Sequence, residues 1–143
     1  STITRLQNMG TPDYLISAAC QLVLAQRLAR RSCKDCRVPD DDVTPKVLQD
    51  LGFSPEQASR VKALKGKGCA KCKDSGYKGR QGIYEILVVS KPVKEAILRK
   101  ATTPELRQIA IKEGFQTMQD MGRRLIANGE LNFREYERVL ASE

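Results

Sequence analysis

Histidine and tryptophan are both missing from this 143-residue chain, and aromatic residues make up only 5% of it. Without an imidazole, histidine-based general acid–base chemistry and the Ser-His-Asp triad are excluded. No apolar run is long enough to span a bilayer. A phosphate-binding loop of the form G-x-x-x-x-G-K-[ST] is also missing, because Gly66-Lys67 is followed by Gly68, which has no hydroxyl for Mg²⁺. No stretch reads as a signal peptide, which argues against a disulfide-stapled secreted fold. No catalytic site is visible.

What is present is cysteine in matched pairs. Cys33-Lys34-Asp35-Cys36 and Cys69-Ala70-Lys71-Cys72 are both C-x-x-C. That spacing forms a knuckle that presents two thiolates to one ion, and two knuckles close a tetrahedral site with no open position. A thioredoxin-type redox motif needs one such pair, not two, and the clustered cysteines of [4Fe–4S] ferredoxins are absent. Cys33, Cys36, Cys69 and Cys72 are therefore the candidate ligands of a structural Zn²⁺, with iron in the same cage or redox chemistry as rival readings. A structural zinc contributes on the order of 10–16 kcal/mol of apparent binding energy, against about 5–15 kcal/mol for the stability of a whole small domain. The stretch between the pairs is too polar to build a core alone, so it is expected to be loose without the ion.

Length allows one domain, or one domain with a metal-stapled module. Lys and Arg number 25 against 17 Asp and Glu, for a net charge of +8; a filled tetrathiolate site would lower this to about +6. Between Arg60 and Arg80 the bases Lys62, Lys65, Lys67, Lys71, Lys73, Lys78 and Arg80 crowd together with one acid, Asp74. The plain reading is a solvated loop that offsets the anionic metal centre. The alternatives are docking on an acidic protein or membrane face, or nucleic acid, for which only Tyr77 is at hand to stack. Thiolates holding metal imply a reducing compartment, most simply the cytoplasm.

The remaining pattern is mostly helical. Ile3, Leu6 and Met9 stripe a helix that stops at Gly10. Thr11-Pro12 opens a second helix, expected to run to Leu24 and apolar nearly all round, with Cys20 as a core filler. Arg27 to Arg31 reads as a short strand. Thr44-Pro45 and Ser54-Pro55-Glu56-Gln57 start two short helices, the latter with a capping box, and Val47, Leu48, Leu51, Phe53, Ala58, Val61 and Leu64 are their candidate core. Gly82 to Val89 reads as a strand inside a sheet, since both of its faces are apolar. Helices follow around Val93–Ala101, after a cap at Thr103-Pro104, around Phe115–Ile126, and from Asn132, with Glu135 as the N3 member of a capping box. The Met and Phe stripe at 115–126 reads as core-facing.

Two stretches carry a family resemblance. They are Ala25-Gln26-Arg27-Leu28-Ala29-Arg30-Arg31-Ser32-Cys33-x-x-Cys36, and Gly68-Cys69-Ala70-Lys71-Cys72 continued by Ser75-Gly76-Tyr77-Lys78-Gly79-Arg80-Gln81-Gly82-Ile83-Tyr84-Glu85-Ile86-Leu87. Together they resemble the C-terminal part of the type IV pilus assembly (extension) ATPases and the related type II secretion ATPases. Thr4-Arg5-Leu6-Gln7-Asn8-Met9-Gly10 is similar to that family just after its nucleotide-binding motifs. Ser32, where an apolar residue is usual, and Lys34-Asp35, where a proline is often seen, depart from the family without touching the ligands.

The resemblance implies a C-terminal fragment of a RecA-like domain from a hexameric motor, with ATP and Mg²⁺ bound upstream and this chain inactive alone. It implies an α+β fold: residues 1–32 end the ATPase core, 33–78 form a tetracysteine zinc module inserted on a short antiparallel strand pair, and 79–143 add a strand and a C-terminal helical bundle. The cover of helix 12–24 would be the missing core or a neighbouring subunit. The implied partners are the neighbouring subunits and an inner-membrane platform protein, with the motor in the cytoplasm and peripheral to that membrane. Type II secretion is the alternative assignment, and a nucleic-acid-binding zinc ribbon is the rival from another class.

Overall fold

A computed structural model describes residues 2–19 and 22–140. The fold is α+β, and the chain divides into two compact units, residues 1–25 with 85–117 and residues 26–84 with 118–143.

In the first unit, α1 (Thr2–Asn8) ends as its pattern predicts, with Gly10 at φ +90°, a conformation that costs glycine little. Helix α2 (Asp13–Ala19) follows. Helix α5 (Lys91–Leu98) and α6 (Thr103–Lys112) complete the unit's helices. Ile3, Ile16, Val93, Ala96, Ile97 and Leu106 form its core, each large apolar side chain contributing about 1.5–3 kcal/mol by burial. The cap of α6 is Thr102 rather than Thr103: the Thr102 hydroxyl accepts the Glu105 N–H, and the Glu105 carboxylate reaches back to the Thr102 N–H. One residue's shift satisfies two helix-end donors at once.

The second helix does not continue to Leu24. It ends by Ala19, and strand β1 runs from Leu22 to Ser32, far longer than the Arg27–Arg31 strand the sequence predicts. The short apolar run Leu22-Val23-Leu24 suits a helix or a strand equally, and pairing decides. Cys20 lies outside the described residues. The partner of β1 is β4 (Tyr77–Val88), and the two make a two-stranded sheet. Among the described residues β4 has no second neighbour, so it does not lie inside a sheet as its apolar pattern predicts. Leu24, Leu28, Tyr84, Ile86 and Val88 are accordingly exposed.

The second unit holds what lies between these strands. A short antiparallel ladder joins β2 (Arg37–Pro39) to β3 (Leu64–Gly66), pairing Arg37 with Gly66 and Pro39 with Leu64. Between them stand α3 (Pro45–Asp50), capped by Thr44, and α4 (Pro55–Arg60), whose Ser54–Gln57 capping box forms as the sequence predicts. Leu48, Phe53, Ala58 and Ala63 are buried beside them. Helices α7 (Met118–Ala127) and α8 (Phe133–Leu140) belong to this unit. Of the four helices after β4, α5 and α6 belong to the first unit and α7 and α8 to the second. Phe115 precedes α7 instead of standing on it. Gly122 lets α7 and α8 pack closely, since a Cβ there would sit 2.6 Å from Leu140 Cδ1 and 2.7 Å from Tyr136 Cε2.

Candidate metal centre

Each cysteine pair sits in a turn, and backbone N–H groups around the second pair point at sulfur. Cys33 closes β1, and Cys36 begins the bend into β2, with the Cys36 N–H donating to the Cys33 carbonyl at 3.4 Å. Cys69 precedes a 3₁₀ turn, Ala70–Cys72, after which Lys73 and Asp74 adopt φ of +54° and +60°. This reverses the chain sharply enough to return it toward β4. The N–H of Gly68 donates to Cys36 Sγ, and those of Cys69 and Gly76 donate to Cys72 Sγ, each at 3.3 Å.

The two turns are held together by tight backbone packing. The Cys33 N–H donates to the Gly76 carbonyl at 2.9 Å, and the Lys67 N–H to the Cys36 carbonyl at 2.9 Å. Gly66 and Gly76 cross so closely that a Cβ on Gly66 would lie 2.0 Å from the Gly76 oxygen. Glycine is required at that crossing for space.

All four sulfurs fall within 4.8 Å of one another. Cys33 and Cys69 are 3.8 Å apart, Cys36 and Cys72 are 3.8 Å apart, and Cys69 and Cys72 are 3.6 Å apart. Sulfurs held about 2.3 Å from a tetrahedral Zn²⁺ stand about 3.8 Å from one another. A disulfide would need about 2.05 Å, and all four thiols are free. The donor set is four soft sulfurs with no histidine or carboxylate among them, which fits zinc or iron and leaves no open position for a reacting water.

The thiols are electrostatically unequal. Burial pushes Cys36 up to about 12, against the Gly68 N–H. Burial opposes ionisation of Cys72 as well, yet the N–H groups of Cys69 and Gly76 outweigh it and bring that thiol down to about 6.

The basic residues singled out in the sequence, Lys62, Lys65, Lys67, Lys71, Lys73, Lys78 and Arg80, are all exposed. Lys65 lies 4.0 Å from the largely buried Asp40 carboxylate and Lys71 3.7 Å from Asp35, both long separations; the more exposed Lys71 pair contributes little.

One group at this centre is not legible as such in the sequence. Glu135 is fully buried, and its carboxylate does not serve as the capping-box partner. It accepts the Arg30 backbone N–H at 2.6 Å, the Arg30 Nη2 at 2.8 Å and both Nε and Nη2 of Arg138 at 2.7 Å. Burial works against its ionisation, but the Arg138 and Arg30 guanidiniums prevail and hold it at about 2. Both arginines are raised in turn, chiefly by hydrogen bonding to Glu135. A signal was available: Glu135 occupies the apolar stripe of Leu131, Tyr136 and Val139, where an acid must find a partner.

Compared with known proteins, the type II/IV secretion system protein family matches residues 1–138. The type IV pilus assembly ATPase PilB of Myxococcus xanthus is 37% identical over 134 residues, which cover 94% of this chain and 24% of that protein. PilB of Thermus thermophilus is 41% identical over 123 residues, covering 84% of this chain and 13% of the relative. The type II secretion system protein HxcR of Pseudomonas aeruginosa is 32% identical over 139 residues, covering 97% of this chain and 25% of the relative. The chain spans a quarter or less of the length of these relatives.

Proposed function

The chain belongs to the type II/IV secretion system protein family, and from that premise we propose that it is the zinc-bearing, non-catalytic C-terminal segment of a hexameric ATPase that powers type IV pilus assembly. ATP and Mg²⁺ would bind elsewhere in the parent protein, which would turn hydrolysis into work on an inner-membrane platform protein from the cytoplasmic side. Similarity to pilus assembly ATPases across nearly the whole chain supports the motor assignment. The convergence of Cys33, Cys36, Cys69 and Cys72 is the observation that carries the segment's own role. Zn²⁺ held by these residues would pin residues 33–78 as a rigid module between β1 and β4. The exposed bases Lys62 to Arg80 would then be presented from a fixed base, available for docking on an acidic face of the platform. In this reading residues 1–32 end the ATPase core and 79–143 form a strand and a C-terminal helical subdomain. Among the described residues no helix is long and apolar enough to cross a membrane.

Removing the loop between the cysteine pairs in the parent protein tests this. Retained ATP turnover with lost pilus assembly is expected. A collapsed ATPase rate would instead make the module a structural part of the ring and overturn the docking role. Type II secretion is the second reading, favoured by the similarity to HxcR and to a type II secretion system protein E from Aeromonas hydrophila, 41% identical over 96 residues; complementation of a pilus-deficient against a secretion-deficient strain separates the two. A nucleic-acid-binding zinc ribbon would show salt-dependent binding to DNA or RNA, whereas a flat titration at low salt is expected here.

A further inference from the structure

Around the four cysteines lies a second ring of side chains that do not ligate, and nearly all of it leads to α8. Gly76, whose N–H supports Cys72 Sγ, is followed by Tyr77. The Tyr77 hydroxyl accepts a hydrogen bond from Asn132 Nδ2 at 2.9 Å, and the Arg30 guanidinium lies 4.1 Å above the Tyr77 ring. Asn132 is also the N-cap of α8, its Oδ1 accepting the Glu135 N–H at 2.8 Å. Glu135 in turn holds Arg30 by backbone and side chain, closing a ring of four residues.

The other knuckle is gripped from the same turn. The Ser32 N–H donates to the Glu130 carbonyl at 3.0 Å, immediately before Cys33, and Arg37 Nη2 donates to the Ser32 carbonyl at 3.0 Å. Residues 130–135 therefore touch both strands at the points where each enters its cysteine turn.

We propose that Tyr77, Asn132 and Glu135 are positioning residues for the tetracysteine centre, so that metal loading and the seating of α8 on β1 are one linked equilibrium. The inference rests on the metal reading given above and adds to it a specific set of non-ligating residues and a named responder. The physics is reciprocal: if the ion fixes residues 76 and 77 and thereby α8, then a loosened α8 must weaken the ion by the same factor. Outer residues that orient metal ligands typically change affinity by about 10–100-fold when removed. Here the path runs from Cys72 through Gly76 and Tyr77 to Asn132 and Glu135. It uses one weak N–H···S bond and two hydrogen bonds between neutral groups, and the charge-assisted contact of Arg30 with the Glu135 carboxylate closes the ring.

The test is Co²⁺ titration of the full chain, read at the sulfur-to-cobalt charge-transfer band, together with hydrogen exchange of α8 before and after chelation. Wild type is expected to bind one Co²⁺, and its residues 133–140 to exchange at least about tenfold faster once the metal is removed. Tyr77→Phe removes only the hydroxyl and is expected to raise the Co²⁺ Kd by about tenfold. Tyr77→Leu, which also removes the ring under Arg30, should weaken binding further. At saturating Co²⁺ both variants should show a shifted charge-transfer band, which a loss of global stability alone would not produce. If wild type binds no Co²⁺, the metal reading itself is wrong. If wild type binds Co²⁺, but α8 exchanges at the same rate in both states and both variants keep the wild-type Kd and band, the metal reading stands and the linkage is wrong.

Discussion

In the first unit, Ile3, Ile16, Val93 and Ile97 pack into an ordinary apolar core; in the second, four cysteines and a buried carboxylate sit among the core side chains. The surfaces differ as much as the interiors. Of the ten exposed large hydrophobic side chains among the described residues, only Leu28 and Tyr84 belong to the second unit, and the other eight, including Met9, Tyr14 and Val88, belong to the first. The second unit adds sulfur and a buried charge to an apolar core that includes Leu48, Ile83, Ile126, Leu131 and Leu140. The first has apolar surface left over. This contrast teaches that the two units answer to different perturbations, and it can be broken or sharpened experimentally.

The largest expected effect follows from the proposed Zn²⁺. Chelation, or Cys33→Ser with Cys72→Ser, should remove most of the protection of residues 33–76 from hydrogen exchange, in line with the roughly 10–16 kcal/mol of a structural zinc site. The core of α1, α2, α5 and α6 should keep its protection. Equal loss in both units would end the comparison.

Next is the glycine crossing. Gly66→Ala places a methyl group against the Gly76 carbonyl, and backbone cannot yield as a side chain can. A loss of about 3 kcal/mol or more is expected, with sub-stoichiometric metal by mass spectrometry under native conditions. Full metal occupancy in this variant would show that the turns can separate and still bind.

Glu135 supplies a pH signature specific to the second unit. Its folded value, about 2, lies below the unfolded value of 4.5. The stabilisation is therefore fully present above the unfolded value and is lost as pH falls from about 4.5 toward 2. That difference amounts to about 3 kcal/mol. Denaturant midpoints of wild type and Glu135→Gln, compared at each pH, should differ most at neutral pH and converge on acidification. Parallel curves would mean that Arg30 and Arg138 do not hold the carboxylate as described.

The smallest effect is at Ser32. Among the described residues its buried hydroxyl has no hydrogen-bond partner, so Ser32→Ala should stabilise the second unit by about 1 kcal/mol. A destabilised variant would reveal a partner for that oxygen.

The helix starts were legible because they are local. Thr44-Pro45 and Ser54-Pro55-Glu56-Gln57 carry cap, first-turn proline and N3 partner within four residues, and no distant contact was needed to use them. The cysteine quartet was legible for a related reason: each C-x-x-C makes its own turn, and four sulfurs have few other uses in a chain without histidine. The strand β1 was not. Its first residues read as the end of a helix, and only pairing with a segment more than fifty residues away turns them into sheet. Glu135 was seen as a cap partner since Asn132 stands three residues before it; Arg30, 105 residues away, takes the carboxylate instead.

The amino-acid sequence by itself determined where α3 and α4 begin, which four cysteines come in matched pairs and that Gly10 ends α1. All of these are properties of a few consecutive residues, or of residue types with a single chemistry. Tertiary structure alone decided that residues 22–32 are extended, that the last four helices divide between two units, and that Glu135, the buried acid of α8, braces the strand leading into the cysteines. Those outcomes depend on which distant segments meet, and no local preference encodes a meeting.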